Sequence, residues 1–245
     1  IHDDLTGTSL DFSEQYNAAP EGTVSCKFWG LGSDGTVGAN KNSIKIIGDH
    51  TDMFVQGYFF YDSKKSGGIT VSHLRFGKTP IQSAYLIDAA DFVQCSNPSY
   101  ITRYDMTGDI KENGTFLFNT SAKSAAELEE VLPAAVKRDI AKKHINLYVI
   151  DAIDIAAKLG LRGRTNTILQ SAFFKVANII PYDQAVEYMK KMAYKSFAKK
   201  GDAVVQMNYN AIDSAAANLI KIDVPASWEN ATTGAPMADV ADDKY

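Results

Sequence analysis

The sequence has few cysteines and no long apolar run. Its 245 residues include two cysteines, Cys26 and Cys95, which are too few for a disulfide-rich scaffold or a four-cysteine metal site. No apolar stretch approaches the roughly 18 residues that a membrane span needs, and no signal peptide is recognisable. We therefore expect a cytoplasmic protein without a transmembrane segment.

Basic charge and several catalytic motifs are also missing. The net charge of −4 argues against a nucleic-acid surface or a basic membrane patch. The spacings G-x-S-x-G, C-x-x-C and G-x-x-x-x-G-K-[ST] do not occur, and the four histidines have no metal-ligand spacing. The sequence thus predicts no metal site and no catalytic residue, and it predicts structural roles for His73, Cys26 and Cys95.

Composition divides the chain into three parts. Residues 1–22 are polar and carry no clear period, as expected of an incoming connector. Residues 23–225 alternate apolar runs with helical patterns, and we predict that they form one folded domain. Residues 226–245, rich in Ala, Thr and Asp, are predicted to be an acidic linker. Because the chain begins without Met, we expect it to be a piece of a longer protein.

Alternating strand and helix patterns predict an α/β fold. The predicted strands lie at 23–29, 53–61, 69–76, 84–87, 115–118 and 145–150. A capping box at Ser124 opens a helix towards His144 that Pro133 interrupts, and further helices follow at 151–159, 166–180, 182–199 and 202–217, with Asp202 as an N-cap. Two aromatic strands flanking Gly67-Gly68 suggest a hairpin. We predict a layered, Rossmann-like domain with a mostly parallel or mixed sheet flanked by helices and a helix-rich C-terminal half.

A glycine-rich loop is the strongest local motif. Residues 30–35 read G-L-G-S-D-G, which fits G-x-G-x-x-G, directly after a predicted strand and before a helix. Residues without bulky side chains let backbone N–H groups approach a phosphate, and the helix N-terminus adds partial positive charge. The alternative is a tight turn with a purely structural role.

The end of the second strand bears on which phosphate ligand is plausible. Asp62 could accept a hydrogen bond from a ribose hydroxyl, but Lys64 and Lys65 beside it favour a phosphorylated ribose, as in coenzyme A or NADP. A solvated hairpin turn is the alternative for the lysine pair. Asn166 precedes one helix and Asn208 interrupts another, where a side-chain amide can be solvated or can face a cleft.

Four blocks of sequence, in order, resemble the pyruvate:ferredoxin oxidoreductase family. The first reads CKFWGLGSDGTVGANKNSIK at 26–45, and the others lie at 62–68, 72–77 and 170–175. The resemblance extends from about Asp3 to Trp228. It covers one domain of the single-chain bacterial enzyme, equivalent to the gamma subunit of multi-subunit 2-oxoacid:ferredoxin oxidoreductases.

The resemblance implies a division of labour. The family oxidatively decarboxylates pyruvate to acetyl-CoA and CO₂ with thiamine diphosphate, and passes electrons through [4Fe–4S] clusters to ferredoxin or flavodoxin. Thiamine and the clusters are held by other parts of the parent enzyme, so this domain is expected to bind coenzyme A and to be inert alone. Its expected partners are the other domains of a homodimeric parent, without nucleic acid or membrane.

Carried over by position, the family's coenzyme A contacts fall on the glycine loop, on Lys65 of the lysine pair, with Lys64 as an ambiguous neighbour, and on two helical asparagines. These positions are Ser33, Asp34, Gly35, Thr36, Val37, Lys65, Asn166 and Asn208. Two other readings stay open from the residues alone. One is an NADP-binding dehydrogenase domain, and the other is a structural docking domain whose glycine loop packs against protein.

Overall fold

The computed structural model describes residues 18–62, 67–161 and 163–238. The strands are β1 Val24–Leu31, β2 Phe54–Tyr61, β3 Ile69–Gly77, β4 Ala90–Cys95, β5 Ile110–Asn119, β6 Asn146–Ile150 and β7 Ile220–Lys221. The helices are α1 Thr36–His50, α2 Ala125–Leu128, α3 Ala134–Lys142, α4 Ala152–Lys158, α5 Asn166–Ala177, α6 Tyr182–Phe197 and α7 Asp202–Asn218. Short 3₁₀ helices lie at Pro98–Thr102, Ala198–Lys200 and Ala226–Asn230.

All the strands belong to one mixed sheet in the order β2-β3-β1-β4-β5-β6-β7. The central strands β1, β4, β5 and β6 run parallel, whereas β3 pairs antiparallel with both β1 and β2. The short β7 closes the far edge antiparallel to β6. The predicted α/β class, the mixed sheet and the antiparallel hairpin are confirmed.

Each face of the sheet has its own apolar core, as a sheet covered on both sides requires. Helices α1 and α4–α7 cover one face, where Phe28, Phe92 and Phe173 pack with ring centroids 5.0–5.5 Å apart. Helices α2 and α3 cover the other face together with the 3₁₀ helices Pro98–Thr102 and Ala226–Asn230. The helix-rich C-terminal half therefore provides most of one layer, as predicted.

Three local expectations differ from the structure. Residues 84–87 form no strand; instead the Ile87 N–H donates to His73 Nδ1 at 3.1 Å. The strand β4 was missed because Asp91 and Gln94 interrupt its short apolar run, although Asp91 accepts a bond from the Ser25 N–H. Helix α7 begins at Asp202 itself, with Gly201 in the N-cap position.

The folded part of the chain also continues past the predicted boundary at residue 225. Trp228 is 1% exposed and belongs to the apolar core on the face that α2 and α3 cover, and its indole N–H donates to Glu129 Oε1. The Arg138 guanidinium donates to the Ala231 carbonyl at 2.6 Å. A single large aromatic is enough to anchor a polar segment, so composition misplaced the start of the linker. Residues 1–17 and 239–245 lie outside the described residues.

Candidate functional site

The glycine loop lies at a topological switch point of the sheet. After β1 the chain turns into α1 on one face, and after β4 it enters the 3₁₀ helix Pro98–Thr102 on the other face. Because β1 and β4 are parallel neighbours, their carboxyl ends lie side by side. The connections that follow them leave towards opposite faces of the sheet, so a crevice opens between the two strand ends. Open α/β sheets bind ligands at this kind of crevice.

The loop is held in shape by its own polar groups. Asp34 accepts from the Leu31 N–H at 2.9 Å through one carboxylate oxygen and from the Thr36 N–H at 2.7 Å through the other. Gly35, just before α1, has φ +90°, a left-handed conformation that favours glycine. Gly32 pairs with the hairpin, since its N–H donates to the Gly68 carbonyl at 2.7 Å.

Four backbone N–H groups around the start of α1 remain without a hydrogen-bond partner among the described residues. They belong to Ser33, Gly35, Val37 and Gly38. The first turn of a helix leaves such donors unsatisfied, and the aligned peptide dipoles add partial positive charge there. This arrangement can bind an anionic group such as phosphate.

The same four residues line a cavity of about 690 Å³ between the loop and the β2–β3 hairpin. Tyr61 and Asp62 close one side of this cavity, which we call the loop cavity. Its volume lies within the roughly 300–1,000 Å³ typical of small-molecule sites. Asp62, which the sequence offered as a ribose acceptor, is therefore placed within reach of the same ligand as the glycine loop.

A second cavity, of about 430 Å³, adjoins the first on the other side of α1 and lies between α1, α5 and α6. Gly35 and Gly38 line both cavities, and Asn166 lines the second. Gln170 joins α5 to α1 because its side-chain amide donates to the Ala39 carbonyl and to Ser43 Oγ, each at 3.0 Å. A Cβ at Gly35 would lie 2.9 Å from Asn166 Cγ.

The structure thus brings together five of the eight predicted binding positions. Ser33, Asp34, Gly35 and Val37 line the loop cavity, and Asn166 touches Gly35 from the adjoining cavity. Thr36 is buried behind the loop with its N–H bonded to Asp34.

The other two predicted positions are not brought to the loop by described contacts. Asn208 is buried on α7, where its amide donates to the Val204 carbonyl at 2.8 Å, and it is absent from the described linings of both cavities. Lys65 and its neighbour Lys64 lie outside the described residues.

Sequence reasoning did not single out Tyr100, which the fold places near the glycine loop. Burial raises the pKa of its phenol to about 12, and the neighbouring Tyr104 and Asp34 add to the increase. Tyr100 lies in the 3₁₀ helix after β4 and is almost fully buried. No local signal marks it, because its closeness to Asp34 depends on the pairing of β1 with β4.

The residues predicted to have structural roles are buried. Cys26 and Cys95 are fully buried free thiols, and burial raises the pKa of each. Burial, aided by Lys27 and Arg75, lowers the pKa of His73 to about 4, so its ring is neutral at pH 7. Over the described residues there is no group of three metal-ligating side chains and no helix suited to crossing a bilayer.

Comparison with known proteins points to one family. The family described as "Pyruvate ferredoxin/flavodoxin oxidoreductase" matches residues 25–218. The chain is 58% identical over 231 residues to the pyruvate:ferredoxin oxidoreductase of Moorella thermoacetica, which covers 94% of this chain and 20% of that protein.

Two solved structures share the fold. The pyruvate oxidoreductase subunit PORC of Thermotoga maritima aligns with a TM-score of 0.64 at 20% identity, covering 81% of this chain and 98% of that chain. The 2-oxoglutarate:ferredoxin oxidoreductase of Magnetococcus marinus, solved with 2-oxoglutarate, coenzyme A and succinyl-CoA bound, aligns with a TM-score of 0.60 at 16% identity, over 89% of this chain and 32% of that chain.

The family match covers most of the chain, and the Moorella protein is far more similar than chance allows. The chain spans about a fifth of the length of that relative. On this evidence it belongs to the pyruvate ferredoxin/flavodoxin oxidoreductase family.

Proposed function

We propose that this chain is the coenzyme A-binding part of a longer pyruvate:ferredoxin or pyruvate:flavodoxin oxidoreductase. The longer enzyme would convert pyruvate and coenzyme A to acetyl-CoA and CO₂ and pass two electrons to ferredoxin or flavodoxin. Membership of the family supports the assignment of this reaction to the longer enzyme. The assignment of coenzyme A as the ligand is supported by the Magnetococcus marinus enzyme, which shares this fold and was solved with coenzyme A bound.

The observation that carries the proposal is the set of unpaired N–H groups of Ser33, Gly35, Val37 and Gly38, all on residues that line the loop cavity. A phosphate or pyrophosphate oxygen can accept from several of them at once. Asp34 turns both carboxylate oxygens towards backbone donors of its own loop. Its charge is thereby partly neutralised within the turn.

Lys65 is proposed to supply a charged contact to a phosphate. The described residues on both sides of 63–66 support this, since Asp62 and Gly68 line the loop cavity. Asn166, against Gly35, is proposed to bind a polar group of the ligand from the α5 side. We also retain Asn208 among the proposed ligand contacts. To bind the ligand, its side-chain amide would have to give up its hydrogen bond to the Val204 carbonyl and donate to the ligand instead.

Chemistry at the reacting carbon is assigned to the rest of the longer enzyme. Thiamine diphosphate supplies carbanion stabilisation and [4Fe–4S] clusters carry the electrons, each bound outside these residues. This chain would hold coenzyme A so that its thiol reaches the reacting centre. It would therefore be inert alone, inside a cytoplasmic and homodimeric parent.

Calorimetric titration of the full-length enzyme tests the ligand. We expect coenzyme A to bind more tightly than NADPH, and dephospho-CoA to bind more weakly if the 3′-phosphate is held. Tighter binding of NADPH would favour an NADP-binding domain. Binding of neither ligand would favour a structural docking domain.

A substitution in the loop tests the site. Gly35 lines the loop cavity, and a valine Cβ there would crowd Asn166. We expect Gly35→Val to raise the KM for coenzyme A far more than the KM for pyruvate. Gly22→Val is the matched control, because Gly22 also has a positive φ (+77°) but no atom within 4 Å of its Cβ position. An equal effect of Gly35→Val on both KM values would contradict the proposed site.

A further inference from the structure

The edge strand β2 is unusual in its composition. It forms one end of the sheet, and its eight residues read FVQGYFFY, with no charge and no proline. Folded proteins protect exposed edges with charges, prolines or bulges, because an unprotected edge pairs with other chains. The edge of β2 has none of these, and among the described residues β2 pairs along its full length with β3 alone.

The hydrogen-bonding pattern shows which backbone groups of β2 are free. The Asp62 N–H donates to the Ile69 carbonyl, so these two residues form a hydrogen-bonded pair. In an antiparallel ladder such pairs alternate, and the even-numbered residues of β2 therefore bond to β3. The N–H and C=O groups of Val55, Gly57, Phe59 and Tyr61 point away from the sheet. No described strand pairs with that side.

Aromatic side chains lie along the same edge. Val55 and Phe59 face α1, where Val55 contacts Gly48 and Lys41 lies over the Phe59 ring. Phe54, Tyr58 and Phe60 point to the opposite face and are 47%, 53% and 44% exposed.

Two further exposed side chains continue this apolar area. Arg75 connects Tyr85 to β2, since its guanidinium bonds to Gln56 Oε1 and lies 4.7 Å from the Tyr85 ring, and Leu86 is the next residue in the chain. Tyr85 and Leu86 are 41% and 52% exposed. We call the set Phe54, Tyr58, Phe60, Tyr85 and Leu86 the β2 patch. Exposed apolar clusters of this kind mark interaction surfaces.

We propose that an extended, uncharged segment from the rest of the longer protein pairs with the free edge of β2 and covers the β2 patch. The occupant must offer backbone donors and acceptors, because side chains cannot satisfy a row of alternating N–H and C=O groups. Alternate apolar side chains on that segment would pack against Phe54, Tyr58 and Phe60.

The length of the protein favours this occupant over a second copy of the chain. About four fifths of the Moorella relative lies outside the region that matches. A tethered segment meets the edge at an effective concentration of roughly millimolar, whereas a second copy loses translational and rotational freedom on binding. The inference rests on the chain being part of such a longer protein, and it is independent of coenzyme A binding.

Hydrogen–deuterium exchange of the full-length enzyme, read at single residues by fragmentation mass spectrometry, tests the pairing. We expect the amides of Val55, Gly57 and Phe59 to exchange roughly 100-fold or more slowly than an unpaired amide. The inward amides of Gln56 and Tyr58 are internal controls, since β3 protects them in either case. Fast exchange at the outward amides with slow exchange at the inward ones would overturn the proposal.

A photo-cross-link identifies the occupant. Benzoylphenylalanine in place of Phe60 in the full-length enzyme should couple to a peptide outside the 245 residues. The control places the same group at Tyr194, an aromatic on α6 that is 55% exposed. A cross-link to a peptide within the 245 residues, from this chain or a second copy, would overturn the proposal. So would a yield at position 60 no higher than at position 194.

Discussion

The contact between Gly35 and Asn166 allows a quantitative test of the site's architecture. Gly35 has φ +90°, and a Cβ placed there would lie 2.9 Å from Asn166 Cγ and 3.2 Å from both terminal amide atoms. Gly35→Ala therefore imposes two separate costs, one on the backbone and one on packing. The prediction is that the two costs can be separated by a second substitution at Asn166.

The backbone cost of a left-handed non-glycine residue is about 1 kcal/mol or somewhat more. Crowding of a packed site adds typically about 1–3 kcal/mol. We therefore expect Gly35→Ala to lower the free energy of unfolding by about 2–4 kcal/mol. Gly22→Ala, with a positive φ and open space around its Cβ, should cost only the backbone part.

Urea denaturation followed by circular dichroism measures these free energies. In an Asn166→Ala background the crowding disappears, and Gly35→Ala should then cost no more than Gly22→Ala. The coupling free energy between positions 35 and 166 is then about 1–3 kcal/mol, which a double-mutant cycle resolves. Equal costs for Gly35→Ala and Gly22→Ala, or a coupling within error of zero, would refute the reasoning.

Three further predictions concern binding and stability. Lys65→Ala in the full-length enzyme should weaken coenzyme A binding roughly 10- to 150-fold, the value of a charge-assisted bond of about 1.5–3 kcal/mol, and unchanged affinity in calorimetry would remove Lys65 from the site. If Lys65 holds the 3′-phosphate, the effects of Lys65→Ala and of dephospho-CoA should not add, whereas additive losses would move the contact to the pyrophosphate or to Lys64. Because the pKa of His73 is lowered to about 4 in the folded state, the unfolded state binds a proton first as the pH falls below 6.5, so the free energy of unfolding should decrease between pH 6.5 and 4. His73→Gln should reduce this pH dependence in urea unfolding, and an unchanged pH slope in the variant would contradict the prediction. Glu129→Ala leaves the buried Lys137 ammonium and the buried Trp228 indole N–H without their carboxylate partner, so it should lower the free energy of unfolding by about 1–3 kcal/mol. Substitution of its exposed neighbour, Glu130→Ala, should cost under about 0.5 kcal/mol, and equal unfolding free energies for the two variants would contradict the prediction.

Features encoded locally could be predicted from the sequence. The glycine loop, the antiparallel hairpin and the helix start at Ser124 depend on neighbouring residues, and the structure contains each of them. The Ser124 hydroxyl accepts from the Glu127 N–H, as a capping box requires. Local backbone preferences and short hydrogen bonds determine these elements, so a linear pattern is sufficient to find them.

Other features were decided only by the tertiary structure. Asn166 meets Gly35 because Gln170 and the apolar face of α5 dock on α1, far away in the chain. The end of the folded part depends on one buried indole, that of Trp228. The free edge of β2 follows from the order of the sheet. Each of these depends on which surfaces are buried against one another, and burial is a property of the whole packed chain rather than of any window of sequence.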